Sequence, residues 1–372
     1  MNRYAKNFSV NFRNLRKTKN LTQKQIAESL GFSEKTVSKW ECGACVPDIE
    51  VLFGIADIFQ TNIESLFGDE KMYLLGIDGG GTKTALLLQD TEGNTIRTYK
   101  TDACNPMDIG FEEAKKILKD GIYKVCEDIP LSSVCAFAGI AGGSVADMKE
   151  KLEEFFIGLG FYSFENDSDN RNIIAAGLGN DDGITVILGT GVCVYIQKNK
   201  THKRVSGWGY LIDNGGSGYN LGRDALNAYF CAYDKSGNET LLTNEIDKIY
   251  SGGQAKLMGY IYSGGKKTIA SFAPAVFSAF EKGDAIAEEI LRRNAGEVVR
   301  FIQAAAKEFE KKEIPVVFAG GLTKQKCFVE YITKEFENSD KEFTFKILDR
   351  EPVEGAVILA KEVYDKKEKN NA

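Results

Sequence analysis

Apolar residues between positions 8 and 67 recur with the period of amphipathic helices, and short polar segments separate the runs. Thr22 and Gln25 have the spacing of a capping box, and Gly31 is placed to end the helix that they begin. Ser33 is placed to cap the next helix. The pattern predicts a small all-α domain over residues 1–70.

The pattern changes at Tyr73, where short apolar runs end in glycine-rich turns. YLLGID leads into GGGTKT, ITVILG into TG, and PVVFA into GG. Each run has the length of a buried strand, and helical periodicity follows the strands. The strand–turn–strand theme occurs twice, which predicts a duplicated α/β unit with one lobe over about 72–180 and a second over about 181–372.

Composition restricts the chemistry that this chain can perform. His202 is the single histidine among 372 residues, which argues against His-based triads and His-rich metal sites. Eight dispersed cysteines do not form the framework of a disulfide scaffold. The sequence contains no run of 18 apolar residues, so it predicts no membrane-spanning helix, and its first residues lack the apolar core of a signal peptide. We expect a cytoplasmic protein with no membrane partner.

Charge is concentrated near the N-terminus. Residues 1–40 hold nine Lys or Arg against two Asp or Glu, a net of +7, whereas residues 41–70 hold seven acidic residues and no basic one. TQKQIAESLGFSEKTVSKWE has the form of two short helices around a glycine turn, and a basic patch favours contact with a polyanion. The candidates for contact with DNA are Gln23, Ser33, Lys35, Thr36 and Lys39.

Residues 8–67 resemble the Cro/phage-repressor (XRE) helix-turn-helix family through LTQKQIA, the Ser33–Trp40 helix, the WE pair that ends this segment, and PDIE with a leucine two positions later. The resemblance implies binding to a double-stranded DNA operator. We expect a homodimer, held by the C-terminal unit or by the apolar segment Ile63–Phe67, and phosphate contacts from Arg13, Arg16, Lys17 and Lys19. A block used only for dimerisation is the alternative. Cys42 and Cys45 are interpreted as loop thiols, because a structural zinc site needs four ligands.

The turn after the first strand, GIDGGGTKT, places Asp78 at a strand end. Glycines allow backbone N–H groups to approach an anion, and the neighbouring side chains add donors and charge. The turn is neither a Walker A loop nor a Rossmann fingerprint, because the lysine does not directly follow a glycine and a threonine stands at the third glycine position. Its candidate anion-binding residues are Gly80, Gly81, Thr82 and Lys83.

Residues 72–362 resemble the sugar kinase/Hsp70/actin superfamily, and more closely the N-acetylglucosamine kinase and BadF/BadG/BcrA/BcrD ATPase family. The motifs are DGGGTKT, AGIAGG, GTG, GWGYL with GSGYNLGRDAL, and FAGGL. The resemblance implies an α/β fold, a two-lobed actin-like ATPase with ribonuclease H-like duplicated lobes, over 71–372. It also implies that the lobes close over Mg²⁺ and ATP with an acceptor in the cleft.

The same resemblance implies roles for individual residues. Asp78 would hold Mg²⁺ through water, and Thr82 and Lys83 would contact the transferred phosphate. The other nucleotide contacts would come from Gly189, Thr190, Gly320 and Gly321. The sugar acceptor would be bound by Asn105, Gly207, Trp208, Gly209 and Asp213.

Two points stay open within this resemblance. Asp167 and Asp169 are both candidates for the base that deprotonates the attacking hydroxyl; the distance to Thr190 favours Asp169, and helix capping is the alternative role. The family commonly reads GDEGSG after GWG, where this chain reads IDNGGSG. Asp213 takes the acidic role if the loop shifts by one residue; otherwise Asn214 replaces the acid and the pocket loses a charge.

The favoured interpretation is an ATP-dependent kinase of N-acetylglucosamine or a related amino sugar, joined to a DNA-binding domain. The alternative is a transcriptional regulator whose kinase-like domain senses sugar or nucleotide with weak or no catalysis. A third hypothesis, an ATPase that activates a partner enzyme, is disfavoured because the IGGQD-type motif of the iron–sulfur activators is absent.

Overall fold

The structure, a computed structural model of the chain, describes residues 3–68, 71–311 and 313–371. The sequence predicts a linker of only about four residues, GDEK, after the helical domain, and two of its residues, Asp69 and Glu70, lie outside these ranges. The chain divides into two compact units, residues 1–172 with 352–372 and residues 173–351. None of the helices in the described ranges is both long and apolar enough to cross a membrane.

The N-terminal part of the first unit is a helical domain around an aromatic core. Its helices are α1 (Arg3–Thr18), α2 (Gln23–Leu30), α3 (Glu34–Glu41), α4 (Ile49–Phe59) and α5 (Ile63–Phe67). The capping box of Thr22 and Gln25 is present, and Gly31 ends α2 at a φ of 73°. Leu66 is fully buried and Phe67 stacks on Phe8, so α5 packs into this core and does not offer the free dimer surface that we expected.

The first unit continues with a sheet covered by helices. Its strands are β1 (Tyr73–Gly79), β2 (Thr84–Asp90), β3 (Thr95–Thr101), β4 (Val134–Ile140) and β5 (Ser163–Asp167), in the order β3-β2-β1-β4-β5. The pairs β1–β2 and β2–β3 are antiparallel, and β1–β4 and β4–β5 are parallel. The helices are α6 (Pro106–Ile109), α7 (Phe111–Cys126), α8 (Met148–Ile157) and α9 (Asn170–Leu178), the last of which continues into the second unit.

The second unit repeats this topology. Its strands are β6 (Gly183–Leu188), β7 (Val192–Lys198), β8 (Thr201–Ser206), β9 (Glu313–Ala319) and β10 (Glu342–Ile347), in the order β10-β9-β6-β7-β8. Its helices are α10 (Gly218–Tyr233), α11 (Leu242–Ile249), α12 (Gln254–Ala270), α13 (Ala273–Glu281), α14 (Ala285–Ala306) and α15 (Lys326–Lys334). Read from β8 and from β3, the two sheets have the same order and strand directions, so the duplication predicted from sequence is confirmed.

The last helix, α16 (Pro352–Asn371), packs on β1 of the first sheet, whereas the sequence predicts it in the second lobe. Gly76 in β1 permits this approach. A Cβ atom there would lie 2.6 Å from the backbone nitrogen of Val357 and 2.7 Å from the carbonyl oxygen of Val353. The missing side chain thus leaves room for the helix backbone against the strand.

Candidate functional site

Asp78 lies at the carboxyl end of β1, directly before an exposed glycine turn. The Gly80 N–H donates to the Lys83 carbonyl at 2.9 Å, which closes the turn. Gly81, Thr82 and Lys83 are exposed, and Asp78 is half-buried. A glycine turn of this form presents backbone N–H groups to an anion.

The Asp78 carboxylate is held by Asn172, which is not among the site residues predicted from the sequence. The Asn172 side chain is fully buried, and its Nδ2 donates to Asp78 Oδ1 at 2.8 Å, to the Ile77 carbonyl at 3.2 Å and to the Gly139 carbonyl at 3.3 Å. No motif marks Asn172, because its contacts join residues up to 95 positions apart.

The donor set around Asp78 fits a magnesium ion that is shared with substrate phosphates. Mg²⁺ in phosphoryl-transfer sites is commonly bound by one or two carboxylates together with phosphate oxygens and water. Asp78 supplies one carboxylate beside the exposed turn. Within the described ranges, no three His, Cys, Asp or Glu side chains form a group that could hold a metal by themselves.

The two candidate bases have different surroundings. Asp169 directly precedes α9, and Ser168 Oγ donates to its carboxylate at 3.1 Å. Burial, together with the negative charges of Asp78 and Asp169, raises the pKa of the Cys104 thiol to about 11. Both carboxylates are therefore within electrostatic range of the same buried thiol. Because it is deeply buried and remains protonated near neutral pH, Cys104 is not a nucleophile.

The Asp167 carboxylate contacts Ser168 and Arg171. Its carboxylate accepts from the Ser168 N–H at 2.7 Å and lies 3.9 Å from Arg171 Nε. Burial lowers the pKa of Arg171, and the charges of Asp167, Glu362 and Glu165 oppose this effect. Asp167 thus belongs to an ion-pair cluster with residues of β5 and α16, whereas Asp169 shares the surroundings of Asp78.

Asn105 begins the short helix α6 near the glycine turns of the first unit. Its Oδ1 accepts from the Met107 N–H at 3.0 Å, and its Nδ2 donates to Asp108 Oδ2 at 2.9 Å. A Cβ at Gly142 would lie 2.4 Å from Asn105 Oδ1, and a Cβ at Gly81 would lie 3.6 Å from Asp108 Oδ2. The amide and the carboxylate therefore lie beside the turns that follow β1 and β4.

In the second unit, the turns after β6 and β9 lie against each other. Gly320 has a φ of 97°, and a Cβ there would lie 2.4 Å from the Leu188 carbonyl oxygen. Gly189 accepts from the Gly218 N–H at 2.8 Å, and Thr190 accepts from the Tyr219 N–H at 3.1 Å. These backbone bonds fix the GTG turn against the start of α10. The predicted nucleotide-binding residues Gly189, Thr190, Gly320 and Gly321 thus form one local group.

The segment after β8 forms a loop that is closed by its own aspartate. Asp213 accepts from the Trp208 N–H at 3.3 Å and from the Gly209 N–H at 2.8 Å, through different carboxylate oxygens. Gly207 and Gly209 have positive φ values, 94° and 115°, which glycine adopts without strain. Trp208 is 64% exposed, and the Arg204 guanidinium lies 5.7 Å from its ring centroid. An exposed indole of this kind can stack on a sugar ring.

The predicted DNA-reading helix is α3. Val37 and Trp40 are buried in the helical core, as the sequence predicted, whereas Ser33, Lys35 and Lys39 are exposed and Thr36 is half-buried. Ser33 caps the helix, and its hydroxyl lies 2.9 Å from the Thr36 hydroxyl. The two lysines therefore extend outward from a helix whose inner face is fixed.

Part of the basic patch lies inside the helical domain. The Arg16 guanidinium donates to the buried Glu41 carboxylate and to the Leu21 carbonyl, and Gln23 Nε2 also donates to Glu41, at 2.7 Å. Burial raises the pKa of Glu41, but the hydrogen bonds from Arg16 and Gln23 outweigh it and hold the pKa below its ordinary value. Arg16 is 14% exposed, so it acts within the domain and not as the outward phosphate contact that we expected.

Cys42 and Cys45 are exposed free thiols, in agreement with their interpretation as loop residues. Lys17 and Lys19 are exposed, as phosphate contacts require.

Comparison with known proteins separates the chain into two parts. Residues 75–360 match the BadF/BadG/BcrA/BcrD ATPase family, and residues 12–66 match a helix-turn-helix family. An N-acetylmuramic acid/N-acetylglucosamine kinase from Clostridium acetobutylicum is 31% identical over 278 residues, which cover 71% of this chain and 89% of the relative.

Two solved structures share the fold. A protein from Chromobacterium violaceum, provisionally described as an N-acetylglucosamine kinase, superposes with a TM-score of 0.66 at 23% identity and covers 78% of this chain and 100% of its own. A ROK family transcriptional regulator, a homologue of the E. coli MLC protein, has a TM-score of 0.54 at 10% identity and covers 97% of this chain and 96% of its own. The extent of the family match, with the duplicated sheets and their glycine turns, shows that the chain belongs to the BadF/BadG/BcrA/BcrD ATPase family and carries an N-terminal helix-turn-helix domain.

Proposed function

We propose that this chain transfers the γ-phosphoryl group of ATP to a hydroxyl group of N-acetylglucosamine or a related amino sugar. The observation that carries the proposal is that Asn172 links two carboxylate residues beside an exposed glycine turn: its side chain donates to the Asp78 carboxylate at 2.8 Å, and its backbone N–H donates to the Asp169 carbonyl at 3.1 Å. A kinase needs one carboxylate for the cation and a second one for the acceptor proton. The similarity to the Clostridium acetobutylicum kinase supports an amino sugar as the acceptor.

Each group of residues then has a defined task. Asp169 takes the proton of the acceptor hydroxyl, whose oxygen bonds to the γ-phosphorus while the bond to the bridging oxygen breaks and ADP leaves. Asp78 binds the Mg²⁺ that neutralises the phosphate charge. Lys83 and the amides of the two glycine turns contact phosphate oxygens. Asn105, together with Asp108, and the Trp208 loop bind the acceptor.

The decisive assay measures ADP release with a panel of glucose, glucosamine, N-acetylglucosamine and N-acetylmuramic acid. We expect turnover with an N-acetylated sugar, and loss of activity on the order of 10³-fold in Asp169→Asn because the base is removed. Asp167→Asn is the matched control, since it removes a neighbouring carboxylate that pairs with Arg171. An inactive Asp167→Asn beside an active Asp169→Asn would reverse the assignment.

A sensor without catalysis is the second candidate, and the loop after β8 favours it. Asp213 uses both carboxylate oxygens to hold its own loop, and the next residue, Asn214, is uncharged. A sensor of this kind would bind the sugar through the Trp208 loop, but the loop would have one negative charge fewer than the GDEGSG loop of the family to position a hydroxyl group. Sugar binding by calorimetry without any ADP release from the panel would establish this function in place of the kinase.

We further propose that the helical domain binds operator DNA as a homodimer, with α3 in the major groove. The exposed Lys35 and Lys39 support this orientation. Fluorescence anisotropy with a selected operator should show affinity that falls with salt, and a change of about 1–3 kcal/mol when sugar or nucleotide is added. Lys39→Ala should weaken binding, whereas Lys24→Ala, at an exposed site near Glu28 on α2, is the control. Absence of binding to any selected sequence would assign the domain to protein association.

A further inference from the structure

We propose that Asn172 is a positioning residue that orients the Asp78 carboxylate for its cation and ties it to the helix that Asp169 begins. The inference rests on the proposed kinase function and adds a residue that no motif marks. Its consequence is specific: the magnesium requirement of the protein depends on a buried neutral amide that is remote from Asp78 in sequence.

The hydrogen bonds define the orientation of the amide. Nδ2 faces three oxygens, those of the Ile77 carbonyl, the Asp78 carboxylate and the Gly139 carbonyl. The opposite assignment would place Oδ1 against three acceptors, which is electrostatically unfavourable. Oδ1 is itself buried without a hydrogen-bond partner in the described ranges, so the side chain gives up one acceptor to keep its donors on these oxygens.

A neutral donor suits this position better than a cation. A lysine or arginine beside Asp78 would neutralise the carboxylate and compete with Mg²⁺, whereas an amide fixes one oxygen and leaves the negative charge in place. Partners that orient the ligands of a metal ion in this way commonly change metal affinity or activity by about 10–100-fold when they are removed.

The sheet is built to admit this side chain. Gly139 of β4 pairs with Asp78 of β1, and a Cβ at Gly139 would lie 2.3 Å from Asn172 Oδ1 and 2.4 Å from Nδ2. Any side chain at position 139 would therefore displace the amide. Gly139, the first glycine of AGIAGG, thus leaves room for the Asn172 amide, a role that the motif alone does not indicate.

The backbone of Asn172 extends the link to the proposed base. Its N–H donates to the Asp169 carbonyl at 3.1 Å, in the first turn of α9. One residue thus contacts Asp78 through its side chain and Asp169 through its backbone. A shift of this turn would move both carboxylates together.

The test compares two buried asparagines of the first unit in the full-length protein. Asn172→Leu keeps the side-chain volume and removes the donors to Asp78. Asn166→Leu makes the same change at a residue that is 7% exposed and donates to the Lys149 carbonyl, without contact to Asp78. For each variant we would measure the magnesium concentration that half-saturates ADP release, and the calorimetric affinity for a non-hydrolysable ATP analogue with and without Mg²⁺.

We expect the half-saturating magnesium concentration to rise about 10–100-fold in Asn172→Leu and to stay within about twofold of wild type in Asn166→Leu. The affinity for the nucleotide analogue should fall only when Mg²⁺ is present. Equal effects in the two variants, or no effect in either, would overturn the inference. A wild-type protein with no magnesium-dependent nucleotide binding would overturn the proposed function as well, and the two failures are thereby distinguished.

Gly139→Ala provides a second route if Asn172→Leu does not fold. This variant keeps Asn172 and displaces its amide, and should raise the magnesium requirement in the same direction. Thermal unfolding establishes that the variant is folded. A folded Gly139→Ala protein with the magnesium requirement of wild type would contradict the role of Asn172.

Discussion

The two sheets share one topology, but their first turns differ in charge. The turn after β1 follows Asp78 and contains Lys83, whereas the turn after β6 follows Leu188 and contains no charged residue. Asp78 is held by Asn172, while Leu188 is fully buried. The duplicated fold thus supplies two glycine turns, and only the turn after β1 has an acidic and a basic residue, which the proposed cation and phosphate contacts require.

The turns after β4 and β9, the next pair of corresponding turns in the two sheets, also differ in their neighbours. Gly142 follows β4 and Gly320 follows β9, and both have positive φ values, 73° and 97°. A Cβ at Gly142 would meet the side chain of Asn105, whereas a Cβ at Gly320 would meet the backbone of Leu188. The same backbone conformation therefore leaves room for the Asn105 side chain in one unit and for the backbone of the neighbouring glycine turn in the other.

The comparison is tested most strongly by removing the charge from one turn and a hydroxyl from the other. Asp78→Asn should lower ADP release on the order of 10³-fold, because the cation loses its carboxylate. Thr190→Val should lower it about 10-fold, the value of one hydrogen bond. Steady-state kinetics at saturating ATP measures both. Equal losses would mean that the two turns contribute alike.

Placing an acid directly before the turn after β6, at the position that corresponds to Asp78, should destabilise the protein. Leu188→Asp buries a carboxylate with no partner like Asn172, and we expect a loss of about 3–5 kcal/mol in the free energy of unfolding at pH 7. Burial raises the pKa of the introduced carboxyl. The folded state then binds more protons than the unfolded state, so the loss should be smaller at pH 5 than at pH 7. Urea unfolding at both pH values is the measurement, and a loss independent of pH would contradict it.

The glycines after β9 should respond unequally to alanine. Gly320→Ala introduces a side chain at a φ of 97° and within 2.4 Å of a carbonyl oxygen, and should cost about 2–3 kcal/mol of stability. Gly321→Ala enters open space and should change stability by less than about 0.5 kcal/mol. Denaturant unfolding compares them, and similar values would show that Gly320 is not constrained as described.

Glu41 of the helical domain extends the comparison to a buried carboxylate outside the two sheets. Of the substitutions at such carboxylate positions, its replacement should have the smallest effect. Glu41 is held by the charged Arg16 as well as by Gln23. Because its pKa is below the ordinary value, its contribution to stability is present above the unfolded pKa and is lost as pH falls through the folded pKa. Glu41→Gln should cost about 1–2 kcal/mol near pH 7, and the difference from wild type should shrink as the solution is acidified below pH ~4.5.

Trp40 fluorescence reports this change in the helical domain. Trp208→Phe removes the other tryptophan of the chain and serves as the common background. A difference that stays constant down to the acid transition would show that the charge of Glu41 does not contribute.

Local patterns were sufficient for much of the fold. The turn residues, the helix caps of Thr22 and Ser33 and the repeated strand–glycine–strand theme depend on neighbours in sequence, and the structure contains all of them. The inward positions of Val37 and Trp40 followed from helical period. The candidate glycines were found for the same reason, since a tight turn restricts the residues that form it.

Only the tertiary structure decided which residues act on these turns. Asn172 reaches Asp78 across 94 positions, α16 returns to β1 through the space above Gly76, and Arg16 turns inward to Glu41. The surroundings of Asp169 also depend on Cys104, which only the fold brings near it, whereas Arg171 is a local neighbour of Asp167, four positions along the chain. The sequence determined where the chain turns and which residues are candidates for contact with phosphate, because those properties are local. Hydrogen bonds and charges between distant segments decided the rest, because their partners meet only when the sheets are formed.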